Sequence, residues 1–478
     1  YANPNGRIPA SRYTGEPGFD RITYDQAMIG YEFKHRFNEV FEFRQNLRVA
    51  SVDIDMMSMR NAGTLCPITG GVAACYLPGV TPPVDPAQRI TVRDANYVAG
   101  STQNFAMDNQ LQADFATGWL THKMLFGIDY QKTEITTDYR GSFPGFPIDA
   151  YNPVYGATPL PTKATLIPFI NTVTNKDQLG FYVQDQIKFD RFSLTLTGRH
   201  DHATSEMVNN LAGVTVNQDD SRFTGRAGLS YLFDFGLAPY VSYSTSFEPA
   251  VGLSLTSITG EPFKPTTGEG FEAGIKYSPP GSKMLFTAAA FDIKQNNVIV
   301  NTPTFIPYQI GGVRVKGIEA DFRASVTDEF DVIAAASHIN PVVEDHINPA
   351  IVGKTVSMVN KDSASLWGMY TLRSGPLAGL GLGAGVRYTG SAFGDDLNLI
   401  KVPGYTLFDA ALTYDFGYLR PDWRGLRLRV NAMNLADKYY VTNCFTGLAY
   451  CSLGQPRTIL ATLTYRWSET AKPLVTKY

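Results

Sequence analysis

Residues that could carry out catalysis or bind a metal ion are few and scattered along this chain. His200 and His202, two of only six histidines, share one face of a predicted strand at a spacing that could suit a metal ion. We interpret them instead as rim residues, where the strand leaves a membrane. The acidic pairs Asp219–Asp220 and Asp395–Asp396 are better explained as solvated loop residues than as calcium ligands. No glycine-rich loop leads from a strand into a helix, so the sequence predicts neither a nucleotide site nor an enzyme.

The four cysteines form two close pairs, Cys66 with Cys75 and Cys444 with Cys451, each in a predicted loop between strands. Disulfides are the natural interpretation, and they indicate an oxidising compartment. A zinc site is the alternative, but it would need gaps of roughly two to four residues and nearby histidines, which neither pair offers.

The elements that must position these loops are predicted to be strands. From Thr458 to Trp467, apolar residues alternate with mostly polar ones, and a period of two indicates a strand. The same alternation occurs in 192–201, 271–277, 318–326 and 408–416. No helical segment is available to cover so many apolar faces. The pattern therefore predicts an all-β protein, a transmembrane antiparallel β-barrel with lipid outside and water inside.

Composition agrees with a barrel that has a polar interior. Aromatic residues make up 12% of the 478 residues, and the net charge of −3 gives no electrostatic reason to expect nucleic acid binding. No apolar run reaches about 18 residues, so no transmembrane helix is expected. The polar start at Tyr1 is unlike a signal peptide, and we expect that a segment was removed upstream.

Loop lengths predict the orientation of the barrel. Connections near 37–40, 189–191 and 234–236 are tight. The alternate connections are long, at about 57–92, 139–174, 203–218, 248–266, 295–306, 345–353, 394–403 and 436–456. Short turns on one side and long loops on the other are typical of an outer-membrane barrel with its long loops outside the cell. We count roughly seventeen strands, from about 25–36 to about 457–467. Because closed barrels of this kind have even strand numbers, we expect an odd number of strands to be missing upstream.

Short motifs spread over nearly the whole chain resemble one family. They are Gly15–Asp20, Gly30–Phe33, Phe43–Arg48, Gly180–Gln186, Ala238–Tyr240, Ser246–Pro249, Lys264–Thr266 and Asn434–Tyr439. In this order they resemble the C-terminal part of a TonB-dependent siderophore receptor, most similar to the ferrichrome and ferric-hydroxamate receptors.

The resemblance implies a 22-stranded barrel in the bacterial outer membrane, filled by an N-terminal plug that contacts TonB. We expect residues 1–467 to be a partial barrel without the plug, and 468–478 to be a periplasmic tail. The implied partners of this monomer are a ferric siderophore, the TonB complex and outer-membrane lipid, with no cofactor because the ligand carries the iron. The implied function is TonB-dependent uptake of a ferric hydroxamate. The alternatives are another metal chelate or cobalamin, a passive porin, an outer-membrane enzyme or a soluble β-rich binding protein.

Loop aromatics are the predicted ligand-binding residues, because a ferric hydroxamate has an apolar and carbonyl exterior that aromatic faces can hold. The candidates are Tyr139, Arg140, Phe143, Phe146, Tyr151 and Tyr155, with Phe445 and Tyr450 in the last loop, which the Cys444–Cys451 disulfide would restrain. The alternative is that these aromatics pack loops against each other or form the outer aromatic girdle.

Overall fold

The computed structural model describes residues 5–9, 11–65, 89–143, 145–250, 262–301, 307–445 and 450–467. Most of these residues are in strands, and three short 3-10 turns are the helical elements described, at Lys163–Thr165, Phe416–Tyr418 and Pro421–Trp423. Within these ranges, each helical segment is too short or too polar to cross a membrane. The strands, in chain order, are β1 Arg21–Arg36, β2 Phe41–Leu65, β3 Ile90–Thr117, β4 Leu120–Gly141, β5 Phe146–Asp149, β6 Ile167–Phe189, β7 Phe192–Asn209, β8 Val214–Tyr231, β9 Leu237–Glu248, β10 Thr266–Tyr277, β11 Met284–Asn301, β12 Pro307–Ser325, β13 Phe330–Asp345, β14 Asp362–Thr371, β15 Leu380–Thr389, β16 Ala392–Phe393, β17 Lys401–Val402, β18 Tyr405–Asp415, β19 Leu426–Met433, β20 Val441–Phe445, β21 Tyr450–Leu453 and β22 Thr458–Tyr465.

The main sheet is an antiparallel meander. It contains 18 strands, of which the four-residue β5 is a side strand that pairs with the beginning of β3. The other seventeen follow one another along the chain, which confirms the predicted strand count within the described residues. In that part of the chain, β1 pairs with β2 alone and β22 with β19 alone. The remaining four strands form two hairpins, β16–β17 and β20–β21, within the loops.

Alternation along most of the strands gives the sheet a mainly apolar outer face and a mainly polar inner face. Phe181, Phe223, Phe271, Ile318 and Phe408 are large exposed side chains on the outer face. A water-soluble sheet would bury such a surface, whereas a barrel presents it to lipid. The predicted all-β transmembrane architecture therefore agrees with the pattern of exposure.

Inner-face side chains contact each other across intervening strands. Tyr182 on β6 reaches over β4 to donate a hydrogen bond to Asp108 on β3, at 2.8 Å. Arg199 on β7 likewise reaches over β6 to Asp129 on β4, at 3.0 Å. Glycines make both contacts fit, because a Cβ at Gly127 would run into the Tyr182 ring and one at Gly180 into the Arg199 guanidinium. Such convergence is expected on the concave face of a curved sheet.

The two ends of the sheet differ as predicted, but the strands extend further into the predicted long loops than expected: 57–65, 167–174 and 295–301 lie in β2, β6 and β11. Tight turns join the strands at one end, where aromatic rings follow one another from Phe192 and Tyr231, 4.6 Å apart, to Phe235 and Tyr277. Most connections at the other end are longer, and we call it the long-loop end. The predicted loop at 203–218 is wrong, because β7 and β8 stay paired up to Asn209 and Val214. Polar residues occupy both faces of this extension of β7 and β8. The alternation of apolar and polar residues that indicates a strand is therefore lost there, although the backbone hydrogen bonding continues.

Candidate ligand-binding site

Apolar side chains are exposed on the inner face of β1 at the long-loop end, where the rest of that face is polar. Tyr24 is 54% exposed and Met28 is 72% exposed, and Ile22 is comparably open. Since the β1–β2 register has no break from Arg21 to Arg36, alternation places all three on the same face as Glu32 and Lys34. All sixteen residues of β1 are exposed, because β1 pairs with β2 alone within the described residues, so the apolar character of these inward-facing groups, and not their exposure, sets this surface apart.

The ladder extends this surface over three more strands. Ile22 lies opposite Met56, Met56 opposite Val98, and Val98 opposite Tyr139. Tyr24 lies opposite Ile54 in the row below. With Phe169 of β6, these residues form a patch that we call the inner mouth, made of Ile22, Tyr24, Met28, Ile54, Met56, Val98, Tyr139 and Phe169.

Tyr139 is held in a fixed position within the inner mouth. Its hydroxyl donates a 2.8 Å hydrogen bond to Asn96 Oδ1, and its ring centroid lies 5.7 Å from that of Phe169. Gly141 makes room for Phe169, because a Cβ there would come within 2.7 Å of the Phe169 ring. An ordered aromatic pair of this kind can pack against a ligand with little loss of side-chain entropy.

Polar groups border the inner mouth above and below. Arg60 and Asp94 form a 2.7 Å ion pair toward the long-loop end. Toward the tight-turn end, a cavity of about 480 Å³ lies between Met28 and the polar residues Asn46, Asp108 and Gln131. An apolar patch with a few polar groups at its edges can bind a compact ligand in one orientation.

The structure separates the residues that the sequence grouped together. Tyr139 faces inward, whereas Arg140 faces outward and bonds Asp138 at 2.9 Å. The Tyr151 hydroxyl donates to the Gly6 carbonyl and the Tyr155 hydroxyl to the Tyr13 carbonyl, each at 2.8 Å. Tyr151 and Tyr155 therefore join the long loop to the segment that precedes β1.

Residues 5–9 and 11–20 and the loop 145–166 together form a structure that we call the latch, which covers the outer face of β2–β4 at the long-loop end. Phe19 and Leu166 are buried there against Met57, Met59 and Tyr97, and Phe146 packs against the same cluster. The apolar face that would otherwise be open to water is thus closed by the chain itself.

A buried ion pair connects both halves of the latch to β3. Arg93 Nη2 lies 3.0 Å from Glu16 Oε2, and both side chains are almost fully buried. Arg93 also donates to the carbonyls of Gly15, at 2.6 Å, and Phe146, at 3.1 Å. Glu16 in turn accepts from the Gly156 N–H at 2.8 Å. Because each charged group has several partners, the pair stabilises the latch rather than leaving a buried charge unsatisfied.

A second carboxylate orders the loop of the latch. Asp149 accepts hydrogen bonds from the N–H groups of Tyr151 and Asn152 and lies 2.9 Å from Arg89. Although burial raises its pKa, the Tyr151 N–H and Arg89 together hold the pKa of Asp149 below its usual value. The loop therefore depends on an ionised carboxylate.

The remaining predicted residues lie away from the inner mouth or outside the described residues. Phe143 is 73% exposed. The predicted Cys444–Cys451 disulfide is confirmed and joins β20 to β21, where Phe445 and Tyr450 are paired by the backbone and their side chains lie outside the described residues. Cys66 and Cys75 also lie outside the described residues.

Sequence reasoning missed Ile22, Tyr24, Met28 and Phe169 because it searched for ligand residues in loops. A signal was present in β1, where Ala27, Met28 and Ile29 are apolar in succession. A run without alternation on a strand predicted to have a polar face indicates apolar groups on both faces.

Comparison with known proteins gives concordant results. A family model described as "TonB dependent receptor-like, beta-barrel" matches residues 1–435. The chain is 35% identical to the ferrichrome outer membrane transporter/phage receptor of Escherichia coli, over 97% of this chain and 61% of that protein. It is 34% identical to the ferrioxamine B receptor of Salmonella typhimurium, over 96% of this chain and 61% of that protein. The chain thus spans about three-fifths of the length of these two curated relatives.

A solved structure shows the same fold at lower sequence identity. The siderophore receptor PiuA of Acinetobacter baumannii superposes with a TM-score of 0.77 at 19% identity, covering 95% of this chain and 66% of that chain. The similarity supports the barrel architecture.

Proposed function

The chain belongs to the TonB-dependent receptor family, and on that premise we propose that it forms the barrel of a receptor that takes up a ferric hydroxamate siderophore. The barrel lies in the outer membrane, with its long loops on the extracellular side. The two relatives named for ferrichrome and ferrioxamine B support the choice of substrate class, because both names denote hydroxamate complexes.

The inner mouth is the observation that carries this proposal. A ferric hydroxamate is compact and presents carbon and carbonyl groups to its surroundings. Tyr24, Met28 and Tyr139 offer the apolar and aromatic surface that such a ligand needs, on the wall of the barrel that faces the path of entry. The siderophore already saturates the iron, so the protein supplies no metal ligand.

Transport then needs no chemical change in the substrate. Energy reaches the receptor through TonB acting on a plug inside the barrel, and the polar inner wall below the mouth provides a wet path. On that wall Tyr182 bonds Asp108, and Arg199 bonds Asp129 and lies over the Tyr182 ring. These polar contacts hold the shape of the wall and leave no apolar surface there to retain the ligand. The protein acts as a transporter, not an enzyme.

Titration of intrinsic fluorescence in the whole, plug-containing receptor tests the substrate. Ferrichrome and ferrioxamine B are compared with a ferric catecholate and with cobalamin. Saturable quenching by either hydroxamate at low concentration is expected. A response confined to another chelate or to cobalamin would retain the barrel and overturn the hydroxamate assignment.

Uptake of radiolabelled iron in cells tests the mechanism separately. Loss of uptake in cells without TonB, with binding to the cell surface retained, is expected of an energised receptor. Uptake that is independent of TonB and proportional to concentration would instead indicate a passive porin.

A further inference from the structure

A chain of hydrogen bonds on the inner face of β2 and β3 ends at Tyr139 of the inner mouth. Asn96 and Asp94 precede Val98 on the same face of β3, and Arg60 of β2 lies directly opposite Asp94. Arg60 Nη2 lies 2.7 Å from Asp94 Oδ2, and Asn96 Nδ2 donates to Asp94 Oδ1 at 3.2 Å. The Tyr139 hydroxyl donates to Asn96 Oδ1 at 2.8 Å. We call Arg60, Asp94 and Asn96 the relay.

The chemistry of the relay fixes the direction of each hydrogen bond. The Asp94 carboxylate, paired with Arg60, can only accept, so the amide nitrogen of Asn96 must face it. The amide oxygen of Asn96 is then the atom that faces Tyr139. The Tyr139 hydroxyl is therefore the donor in this contact, and its proton points toward Asn96 and not into the lumen.

The oxygen of the same hydroxyl also has a partner. Burial raises the pKa of the Tyr139 hydroxyl, whereas Arg60 acts to lower it through its positive charge and a hydrogen bond. The net direction is upward, so the hydroxyl keeps the proton that it donates to Asn96. With Asn96 on its proton and Arg60 on its oxygen, the hydroxyl has little capacity left for a ligand, and Tyr139 offers its ring face instead.

β3 gives the relay a rigid base. Side chains alternate along this strand, so Arg93, Ala95 and Tyr97 are buried beneath the latch on the outer face. Asp94 and Asn96 lie between them on the inner face, and Asn96 is itself only 5% exposed. A side chain held by a packed strand and by hydrogen bonds on both sides can fix the orientation of a neighbouring ring.

We propose that Asn96 is a positioning residue for siderophore binding, because the relay turns the Tyr139 hydroxyl away from the lumen so that the ring face meets the ligand. This role rests on the proposed function, which assigns the siderophore to the inner mouth. Tyr139 then contributes an aromatic surface and no hydrogen bond, which suits a chelate with carbon groups on its exterior. The hydroxamate oxygens of the ligand need hydrogen-bond donors other than Tyr139.

A double-mutant cycle in the whole, plug-containing receptor tests the relay. Asn96→Leu removes the acceptor and Tyr139→Phe removes the hydroxyl. Each should weaken binding of ferrichrome and of ferrioxamine B by the same factor, roughly fivefold, because the ring loses its fixed orientation. The double variant should bind no more weakly than either single variant, since both changes break one hydrogen bond. Fluorescence titration measures the whole cycle.

Two further variants separate positioning from a general effect on the fold. Asp94→Asn with Asn96→Asp exchanges the two side chains, keeps the net charge and leaves an acceptor beside Tyr139, so affinity should stay close to that of the unmodified receptor. Asn104→Leu is the matched control, because Asn104 lies on the same face of β3 below the inner mouth and donates to Thr133 at 2.9 Å. Its affinity should not change. The mobility of the folded barrel on a gel, compared before and after heating, establishes that each variant is folded.

Additive losses in the cycle would overturn the proposal, because they would show that the Tyr139 hydroxyl bonds the ligand itself. Equal losses in Asn96→Leu and Asn104→Leu would also overturn it, since they would indicate a general effect on the inner face. Loss of affinity in the exchanged variant, as large as that in Asn96→Leu, would do the same.

Fluorine NMR of 3-fluorotyrosine at position 139 reports the order of the ring without any ligand. Its signal should be single in the unmodified receptor and should broaden or split in Asn96→Leu. A receptor that shows this change but binds no ferric hydroxamate would overturn the proposed function and retain the positioning of Tyr139 by the relay. An unchanged fluorine signal in Asn96→Leu would overturn the positioning role, whichever chelate binds.

Discussion

The two faces of β2–β4 are both apolar at the long-loop end, yet the chain covers only one of them. On the outer face, Met57 and Tyr97 are buried beneath Phe19 of the latch. On the inner face, Met56 and Val98 belong to a patch that opens toward exposed Tyr24 and Met28. The same strands supply both surfaces: the outer one serves folding, and the inner one is the surface that we propose for a ligand.

The largest effect should come from breaking the buried ion pair of the latch. Arg93→Ala leaves the Glu16 carboxylate buried without its main partner, which typically destabilises a structure by about 3–5 kcal/mol. We expect residues 5–20 to exchange their amide hydrogens much faster, while the ladder of β6–β9 keeps its protection. Hydrogen-exchange mass spectrometry of the whole receptor measures both.

Arg89→Ala is the matched control, because it removes an arginine from a partly exposed pair with Asp149 in the same latch. Pairs of this kind contribute only about 0–1 kcal/mol. If both variants accelerated exchange equally, burial of the Arg93–Glu16 pair would not be what holds the latch.

Ligand affinity should respond to the inner face rather than to the latch. Tyr139→Ala and Tyr24→Ala each remove an aromatic side chain from the inner mouth, and we expect each to weaken ferric hydroxamate binding about tenfold, as for a contact that contributes more than 1 kcal/mol. Phe143→Ala is the matched control, since it removes an exposed loop aromatic outside the inner mouth. Fluorescence titration measures all three.

A smaller effect, on stability alone, is expected from Tyr151→Phe and Tyr155→Phe. Each change removes one hydroxyl that donates to a backbone carbonyl, a hydrogen bond with a net contribution of about 0.5–1.5 kcal/mol. Exchange in residues 5–20 should rise modestly, and affinity for the siderophore should not change. A loss of affinity as large as that of Tyr139→Ala would return the binding site to the loop, where the sequence predicted it.

The fold was predictable because alternation is a repeated signal. Each strand alone is ambiguous, but large apolar side chains such as Phe271, Ile318 and Phe408 recur on the outer face of β10, β12 and β18, and no helix of the described residues could cover them. The strand ends were less predictable, as at 203–218, since above the membrane both faces of a strand meet water and alternation of polarity ends before the hydrogen bonds do.

The binding site was less predictable because composition does not say which face of a strand a side chain occupies. Tyr139 and Arg140 are neighbours in sequence and were grouped together, yet they lie on opposite sides of the sheet. Tyr151 and Tyr155 have the residue type of ligand contacts but use their hydroxyls within the latch. Only the register, which depends on pairing between distant strands, separates these roles.

Acidification should leave the latch intact until the pH approaches the unfolded-state pKa of aspartate. The pKa of Asp149 is held below its usual value by the Tyr151 N–H and Arg89, against the effect of burial. A carboxylate with a depressed folded-state pKa stabilises the fold at every pH above its unfolded value, and that stabilisation is lost only as the pH falls through the folded value. Exchange in 145–166 should therefore stay constant from neutral pH down to about 4, near the unfolded value for aspartate, after correction for the intrinsic exchange rate.

Asp149→Asn is the comparison, because it removes the charge at every pH and should show fast exchange throughout. Loosening of the unmodified latch well above pH 5 would show that a group other than Asp149 controls it.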